Sequence, residues 1–240
     1  MVRRGEKLSL SVAREIVDSI MSSGLRPGES LAAEAEMAAS FGVSRQSLRE
    51  ALRLLEFLGI ITIKTGPHGG PIIMAVDAKA FGELTAFYYQ LRGTTFRDVV
   101  AARLALEPLT ARLAAERSTE ISPPELDGLL CPSDWSIVRD DSLFRRQGQD
   151  FHQRVATLSG NNVIELLVHS CTEVFHGRVS TVIYRPSQRP AVTDIHNKIA
   201  RAIQAGDAAV AETLMREHMT DYSSTLLRKF ANVMAERVQW

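Results

Sequence analysis

The stretch Phe41-Gly42-Val43-Ser44-Arg45-Gln46-Ser47-Leu48-Arg49-Glu50-Ala51-Leu52-Arg53-Leu54-Leu55 reads as the turn and second helix of a helix-turn-helix. Ser44 supplies an N-cap, with an oxygen that can accept a free backbone N–H of the first turn. Val43 before the cap and Leu48 after it have the spacing of a hydrophobic staple. Leu48, Ala51, Leu52 and Leu55 then recur at i, i+3, i+4 and i+7, which predicts one apolar stripe for a core. Arg45, Gln46 and Arg49 fall off that stripe, near the N-terminal end of the helix. In a helix-turn-helix that end meets base edges and phosphates in the DNA major groove. Taken alone, the segment also reads as an ordinary amphipathic helix with a solvated basic face.

The flanks favour the groove-binding reading. Leu10 to Ser23 predicts a helix, followed by the turn Gly24-Leu25-Arg26-Pro27-Gly28. Leu31 to Ser40 predicts a short second helix, which Gly42 interrupts before Ser44. Downstream, Gly59 ends the third helix and Ile60 to Lys64 is rich in β-branched residues. Thr65-Gly66-Pro67-His68-Gly69-Gly70 is a turn and Pro71 to Val76 is apolar again, so a β-hairpin is expected. Three helices and a hairpin in that order make a winged helix, with Lys64 or the Gly66 backbone placed to meet phosphate.

The set Pro27-Gly28 to Leu31, Glu36-Met37-Ala38, Val43-Ser44-Arg45, Leu48-Arg49-Glu50-Ala51-Leu52 and Leu55-Glu56 resembles the winged-helix domain of the GntR family of bacterial transcription regulators. The resemblance covers about residues 8 to 76. It implies that Arg45 and Arg49 contact phosphates and bases, that Ser44, Gln46 and Ser47 make helix-start contacts, and that Gly66 is the wing tip. The chain departs from the pattern at Ala35, where many members carry Arg or Ser.

The composition confines how DNA could be held. The 240 residues carry 28 Lys and Arg against 28 Asp and Glu, a formal charge of zero. Bulk charge therefore cannot drive binding, and affinity must come from locally placed arginines, doubled by dimerisation. Arg3, Arg4 and Lys7 are not followed by an apolar segment of signal-peptide type, and no apolar run reaches membrane-spanning length. Cys131 and Cys171 are the only cysteines and form neither a disulfide framework nor a zinc ribbon. A reducing bacterial cytoplasm and no membrane partner are the expectations.

Residues 1–76 are thus expected to form one domain and 77–240 a second, all-helical one. Predicted helices run Ala78 to Leu91, Phe96 to Arg117 with a kink at Pro108, Asp141 to Leu158, Asn162 to Val179, Val192 to Ala205, and Asp207 to the C-terminus. Ser122-Pro123-Pro124-Glu125 has a capping-box pattern. Leu126 to Val138 shows no period, and Arg185-Pro186-Ser187-Gln188-Arg189-Pro190 reads as a non-helical connector. His152, His196 and His218 lie on three different predicted helices. Neutral imidazoles suit Zn and similar ions, and bundles build such sites from facing helices. A scatter of surface or hydrogen-bonded histidines is the alternative, since no two share an i, i+4 spacing. Arg103 followed by Glu107 reads locally as an exposed i, i+4 pair. His68, His169 and His176 have no stronger claim, Asn161 reads as a cap, and Trp135 and Trp240 carry no motif.

A second resemblance covers this half, from about residue 80 to 225. Arg103-Leu104-Ala105-Leu106-Glu107-Pro108 with Leu113-Ala114-Ala115-Glu116-Arg117, Phe151-His152 with Ser159-Gly160-Asn161, His196 with Ile203 and Gly206-Asp207, and Met215-Arg216-Glu217-His218 resemble the FCD ligand-binding domain. That is the effector domain of the FadR-type branch of GntR regulators. It implies that His152, His196 and His218 hold one divalent metal ion (Zn first, Ni or Mn as alternatives) at the floor of an effector cavity. It implies also that Arg103 faces that cavity and clamps a small carboxylate-bearing metabolite. Members place an Asp four residues before the first histidine; here Gly148 stands there, and Asp150 lies on the wrong side of a helix to replace it.

The reading that results is a mainly α protein: an N-terminal winged helix-turn-helix of three helices plus a small β-hairpin, joined to an all-α antiparallel helical bundle. It is expected to be a homodimeric, non-enzymatic DNA-binding repressor. A small organic acid would release it from an inverted-repeat double-stranded operator. A metal-sensing repressor, or a metalloenzyme using the three histidines, is the alternative.

Overall fold

The computed structural model describes residues 7–66, 69–75, 78–132, 140–179 and 186–239. The chain divides into two compact units, residues 1–81 and 82–240. The domain boundary expected at 76/77 lies outside the described residues, as do Arg3, Arg4, His68, Trp135, Trp240 and the side chain of His176.

In the first unit, α1 (Leu8–Ser23) and α2 (Glu34–Ser40) pack on α3 (Arg45–Phe57). The predicted stripe is the core: Leu48, Ala51, Leu52 and Leu55 are buried with Val12, Ile16 and Ile20 of α1 and Met37 of α2. The second helix begins at Glu34 rather than Leu31, because Ser30 bridges to Ile72 and Leu31 N–H donates to the Pro71 carbonyl. Those residues thus line the hairpin instead of starting a helix. Gly59, at φ 71°, takes the left-handed conformation that ends α3 and turns the chain into β1 (Ile61–Lys64). β1 pairs antiparallel with β2 (Gly70–Ile73) in the register Ile61↔Ile73 to Lys64↔Gly70. Ile61 and Ile73 close the bottom of the core.

The second unit is helical: most of α4 (Ala78–Arg92), then α5 (Phe96–Glu116), α6 (Pro123–Asp127), α7 (Asp141–Leu158), α8 (Asn162–Val179), α9 (Arg189–Gln204), α10 (Ala208–Lys229) and α11 (Ala231–Ala235). The long helices α5 and α10 pack along each other, with α7, α8 and α9 against α5 and α9 also against α10. Ala111, Ala114, Val155, Ile199, Ile203, Met215 and Met219 form the centre of this core. α5 runs on through Pro108 as one element, and the Ser122–Glu125 capping box forms as expected.

Two elements differ from the sequence-based expectation. The connector Pro186–Gln188 is a 3-10 turn, and α9 starts at Arg189, not Val192. Pro190 falls in the first helical turn, where a missing N–H costs nothing. Arg189 is buried there against Asp141 of α7, with its guanidinium 4.9 Å from the centre of the Phe144 ring. The last helix does not continue to the C-terminus. α10 stops at Lys229, α11 follows, and residues 236–238 run back to the start of α5, where Phe96 N–H donates to Glu236 and Val238 N–H to Thr94. Met234 and Val238, both fully buried, hold that return in place.

Leu52 is 0% exposed at the centre of the first unit. Leu52→Ala is expected to destabilise that unit by about 2–5 kcal/mol, read as a lower urea midpoint. Leu58→Ala, at a partly exposed position, should shift the midpoint far less.

Candidate functional site

Helix α3 is built as its sequence dictates. Ser47 N–H donates to Ser44 Oγ at 3.1 Å, so α3 starts with its cap satisfied and its N-terminal end open to solvent. Ser44, Arg45, Gln46 and Arg49 are exposed, and Ser47 is half-buried. On the hairpin, Lys64 and Gly66 are exposed. Gly66 has φ 114°, a conformation in which a side chain is strained, so the position just after β1 demands glycine. Ile63 N–H donates to Glu56 Oε1 at 3.0 Å and ties the wing to α3. One partner was not foreseen: Arg49 Nε donates to Glu34 Oε2 of α2 at 2.8 Å. The signal was present, an acidic residue at the start of α2, but nothing local in the sequence sets its distance from α3.

In the helical unit the structure brings the three predicted histidines together. His152 comes from α7, His196 from α9 and His218 from α10. Each sits in the apolar stripe of its helix: Phe151-His152-Val155, Val192-His196-Ile199-Ile203, and Ala211-Met215-His218-Met219. All three are buried. One ring nitrogen from each lies within 4.8 Å of the other two. His196 Nε2 is 3.1 Å from His218 Nε2, which is 3.3 Å from His152 Nε2. The rings of His152 and His218 stack, His196 meets both edge-on, and Phe151 stacks on His196 with centroids 4.1 Å apart.

Behind the histidines, α5 contributes a buried ion pair. Arg103 Nε donates to Glu107 Oε1 at 2.6 Å, and Glu107 Oε2 is 2.5 Å from His152 Nδ1. The Arg103 guanidinium also stands over the Tyr222 ring, 5.5 Å from its centre. The pair is spaced i, i+4 as the sequence suggested, but it faces the core and not water. Burial pushes the Glu107 carboxyl up, yet Arg103 and His152 outweigh that and hold it at about 2. Burial opposes the charge on Arg103 in the same way, and Glu107 raises its pKa overall. Glu107 was not singled out from the sequence. The available signal was register, since Phe96, Val100, Arg103, Glu107, Ala111 and Ala114 share one buried face of α5. Asp150 does not join the cluster; it lines an outer cleft of about 440 Å³ with Glu125 and Arg154.

Burial first, then neighbouring rings, drives the imidazole pKa values down: His196 lies well below its ordinary 6.5, and His218 is pushed down to about 3. Their ring nitrogens therefore keep lone pairs at neutral pH. His218 Nε2 has one in-plane position, a lone pair or a proton, and two imidazole nitrogens facing it. It can satisfy only one of them through a hydrogen bond.

Comparison with known proteins bears on both units. Residues 8–67 match the model of the bacterial regulatory proteins, gntR family, and residues 98–221 match the FCD domain. The uncharacterized HTH-type transcriptional regulator YcbG of Bacillus subtilis (strain 168) is 30% identical over 223 residues, 92% of this chain and 91% of the relative. The HTH-type transcriptional repressor NanR of Enterobacter sp. (strain 638) is 28% identical over 236 residues, 92% of this chain and 85% of the relative. A solved Streptococcus agalactiae GntR structure aligns with TM-score 0.66 at 22% identity, covering 90% of this chain and 99% of that one; this is a likeness of fold.

The buried histidines give stability a pH dependence with a defined sign. The unfolded chain takes up a proton on His218 below its ordinary 6.5, and the folded chain does not until about 3. Stability is therefore full above pH 6.5 and falls as pH drops toward 3. Metal-free protein should lose roughly 1–2 kcal/mol through His218 between pH 7 and pH 5, measured as a falling urea midpoint. His218→Gln should flatten that slope, and an unchanged slope would remove His218 as its source.

Proposed function

The chain belongs to the gntR family of bacterial regulatory proteins and carries the FCD domain, and from that premise we propose that it is a homodimeric repressor released from an inverted-repeat operator by a small carboxylate-bearing metabolite bound in its helical unit. As a member of this family the chain is a DNA-binding transcription regulator and not an enzyme. The name of the repressor NanR, among the similar proteins, supports the negative sign of regulation. Two-fold symmetry of the protein would be mirrored by palindromic DNA. No helix among the described residues is long and apolar enough to cross a membrane, and the action is assigned to the cytoplasm, where bacterial DNA lies. No finding supports the metal-sensing alternative, in which the ion itself is the signal.

The observation that carries the effector assignment is the convergence of three buried imidazoles on one point. Its geometry fits a divalent ion. Two Nε2 atoms bound to a tetrahedral Zn at about 2.0–2.1 Å would stand about 3.3–3.4 Å apart. The two separations here are 3.1 and 3.3 Å. The conflict at His218 Nε2 would be relieved if His152, His196 and His218 turned their Nε2 lone pairs to one divalent ion. His152, His196 and His218 would hold it, and the open coordination positions would receive the carboxylate of the metabolite as a Lewis base. Gly148 offers no side-chain ligand, so the protein donors would be the three imidazoles.

For the effector to act, it must bind the DNA-competent and DNA-incompetent arrangements with different affinity. At the output end, Arg45 and Arg49 would read bases or phosphates from the N-terminal turns of α3, with Ser44, Gln46 and Ser47 at the helix start and Lys64 and the Gly66 backbone on the wing.

Two measurements test this reading. Native mass spectrometry with elemental analysis of the purified chain should report a dimer, about one divalent ion per protomer, and any copurified organic acid. A monomer free of metal after purification without chelators and reloading with Zn would overturn the dimer and the metal together. Separately, an operator selected from random duplexes should bind Arg49→Ala about 1–3 kcal/mol more weakly at fixed salt if Arg49 reads a base. Unchanged affinity removes Arg49 from the interface.

A further inference from the structure

The Nε2 atoms of the three imidazoles face one another, so the nitrogen that carries each ring's proton decides whether the site can bind anything. A neutral imidazole holds one proton. On Nε2 it blocks the lone pair that points to the centre; on Nδ1 it leaves that lone pair free. The atom facing Nδ1 sets the choice.

For His152 that atom is a carboxylate oxygen. Nδ1 is 2.5 Å from Glu107 Oε2, an ion-pair contact, and neither atom has a hydrogen bond to any group among the described residues. The second oxygen, Oε1, accepts from Arg103 Nε at 2.6 Å. The carboxylate is therefore held between Arg103 and the His152 ring, and turning it away from His152 would also break its bond to Arg103. Glu107 is 1% exposed, so water does not compete for either contact.

We propose that Glu107, fixed by Arg103, is a positioning residue of the histidine site. It holds the His152 proton on Nδ1 and keeps Nε2 as a lone pair aimed at His218 and His196. The purpose of this arrangement rests on the metal reading above, while the tautomer it sets does not. A carboxylate behind a ligating imidazole fixes ring orientation and raises its donor strength, and loss of such a partner costs 10–100-fold in metal affinity. Glu107 does not itself reach the centre, because both its oxygens face away to Nδ1 and Arg103. It tunes one ligand without becoming a fourth.

A buried ion pair with only a structural role makes a different forecast. Glu107→Gln would then lower stability while leaving both the His152 tautomer and the metal affinity unchanged.

The test uses the full chain, with ring-nitrogen NMR shifts of metal-free protein labelled with 15N histidine and with cobalt(II) chloride as the metal probe. In the wild-type chain His152 should be the Nδ1–H tautomer; a predominant Nε2–H tautomer overturns the proposal without need of any variant. Glu107→Gln should shift His152 toward a tautomer mixture and weaken cobalt binding, followed by its visible absorption, by 10–100-fold. Helical circular dichroism should stay unchanged. Cobalt affinity within about threefold of wild type, with an unchanged tautomer, also overturns it. If the wild-type chain binds no cobalt, the metal reading fails, and the tautomer measurement alone decides the role of Glu107.

Discussion

Two opposite unit charges, on Arg103 and Glu107, lie in the middle of the helical unit, and keeping them out of water constrains the elements around them. Burying either charge alone would cost several kcal/mol. The two are therefore kept in contact along one helix, and groups from two other helices close on them. Glu107 takes His152 from α7, and Arg103 stacks on Tyr222 from α10. α7 and α10 are thereby registered against α5, and with them His152 and His218. α9 is registered through Arg189, a second buried arginine, whose partner Asp141 begins α7. The histidine cluster is thus held by polar contacts at two levels of the bundle, while the alanine-rich centre of α5 lets the helices approach closely.

How much of this was legible from the sequence depended on distance along the chain. The first unit was readable because its signals are local: the Ser44 cap, the glycines at 42 and 59, and an apolar stripe of period 3.6 that α3 uses without alteration. Even there, the start of α2 was misjudged, since residues 30 and 31 take their hydrogen bonds from the hairpin some forty positions on. The histidines are separated by tens of residues, so spacing alone could not join them, and their grouping came from family resemblance. Glu107 was missed for a different reason. An Arg and a Glu four apart have the pattern of a solvated surface pair, and only the apolar residues at 96, 100, 111 and 114 show that this face of α5 points inward. The early start of α9 was hidden by reading Pro190 as a breaker, when in a first turn it is tolerated. The early end of α10 was hidden because its terminator is a tertiary contact, the return of residues 236–238 to α5.

Two arginine–carboxylate pairs in this chain use the same chemistry to opposite ends. Arg49–Glu34 is exposed, and such pairs are worth only about 0–1 kcal/mol. Glu34 can therefore be displaced at little cost, so the contact orients the Arg49 side chain without committing it. Arg103–Glu107 is buried, and separating it would leave an unpaired charge in a dry interior, at about 3–5 kcal/mol. Arg103 is therefore committed. An incoming carboxylate that sought it as a clamp would have to share the guanidinium with Glu107, or push Glu107 off His152 as well. At the histidines the arrangement is different: Nε2 of His152 and Nε2 of His196 both face the single position on His218 Nε2. That contention lies at the point where the three helices α7, α9 and α10 meet. A ligand bound there would satisfy all three nitrogens at once, and would do so by fixing the spacing of those helices, which is what a signal carried by helix packing requires.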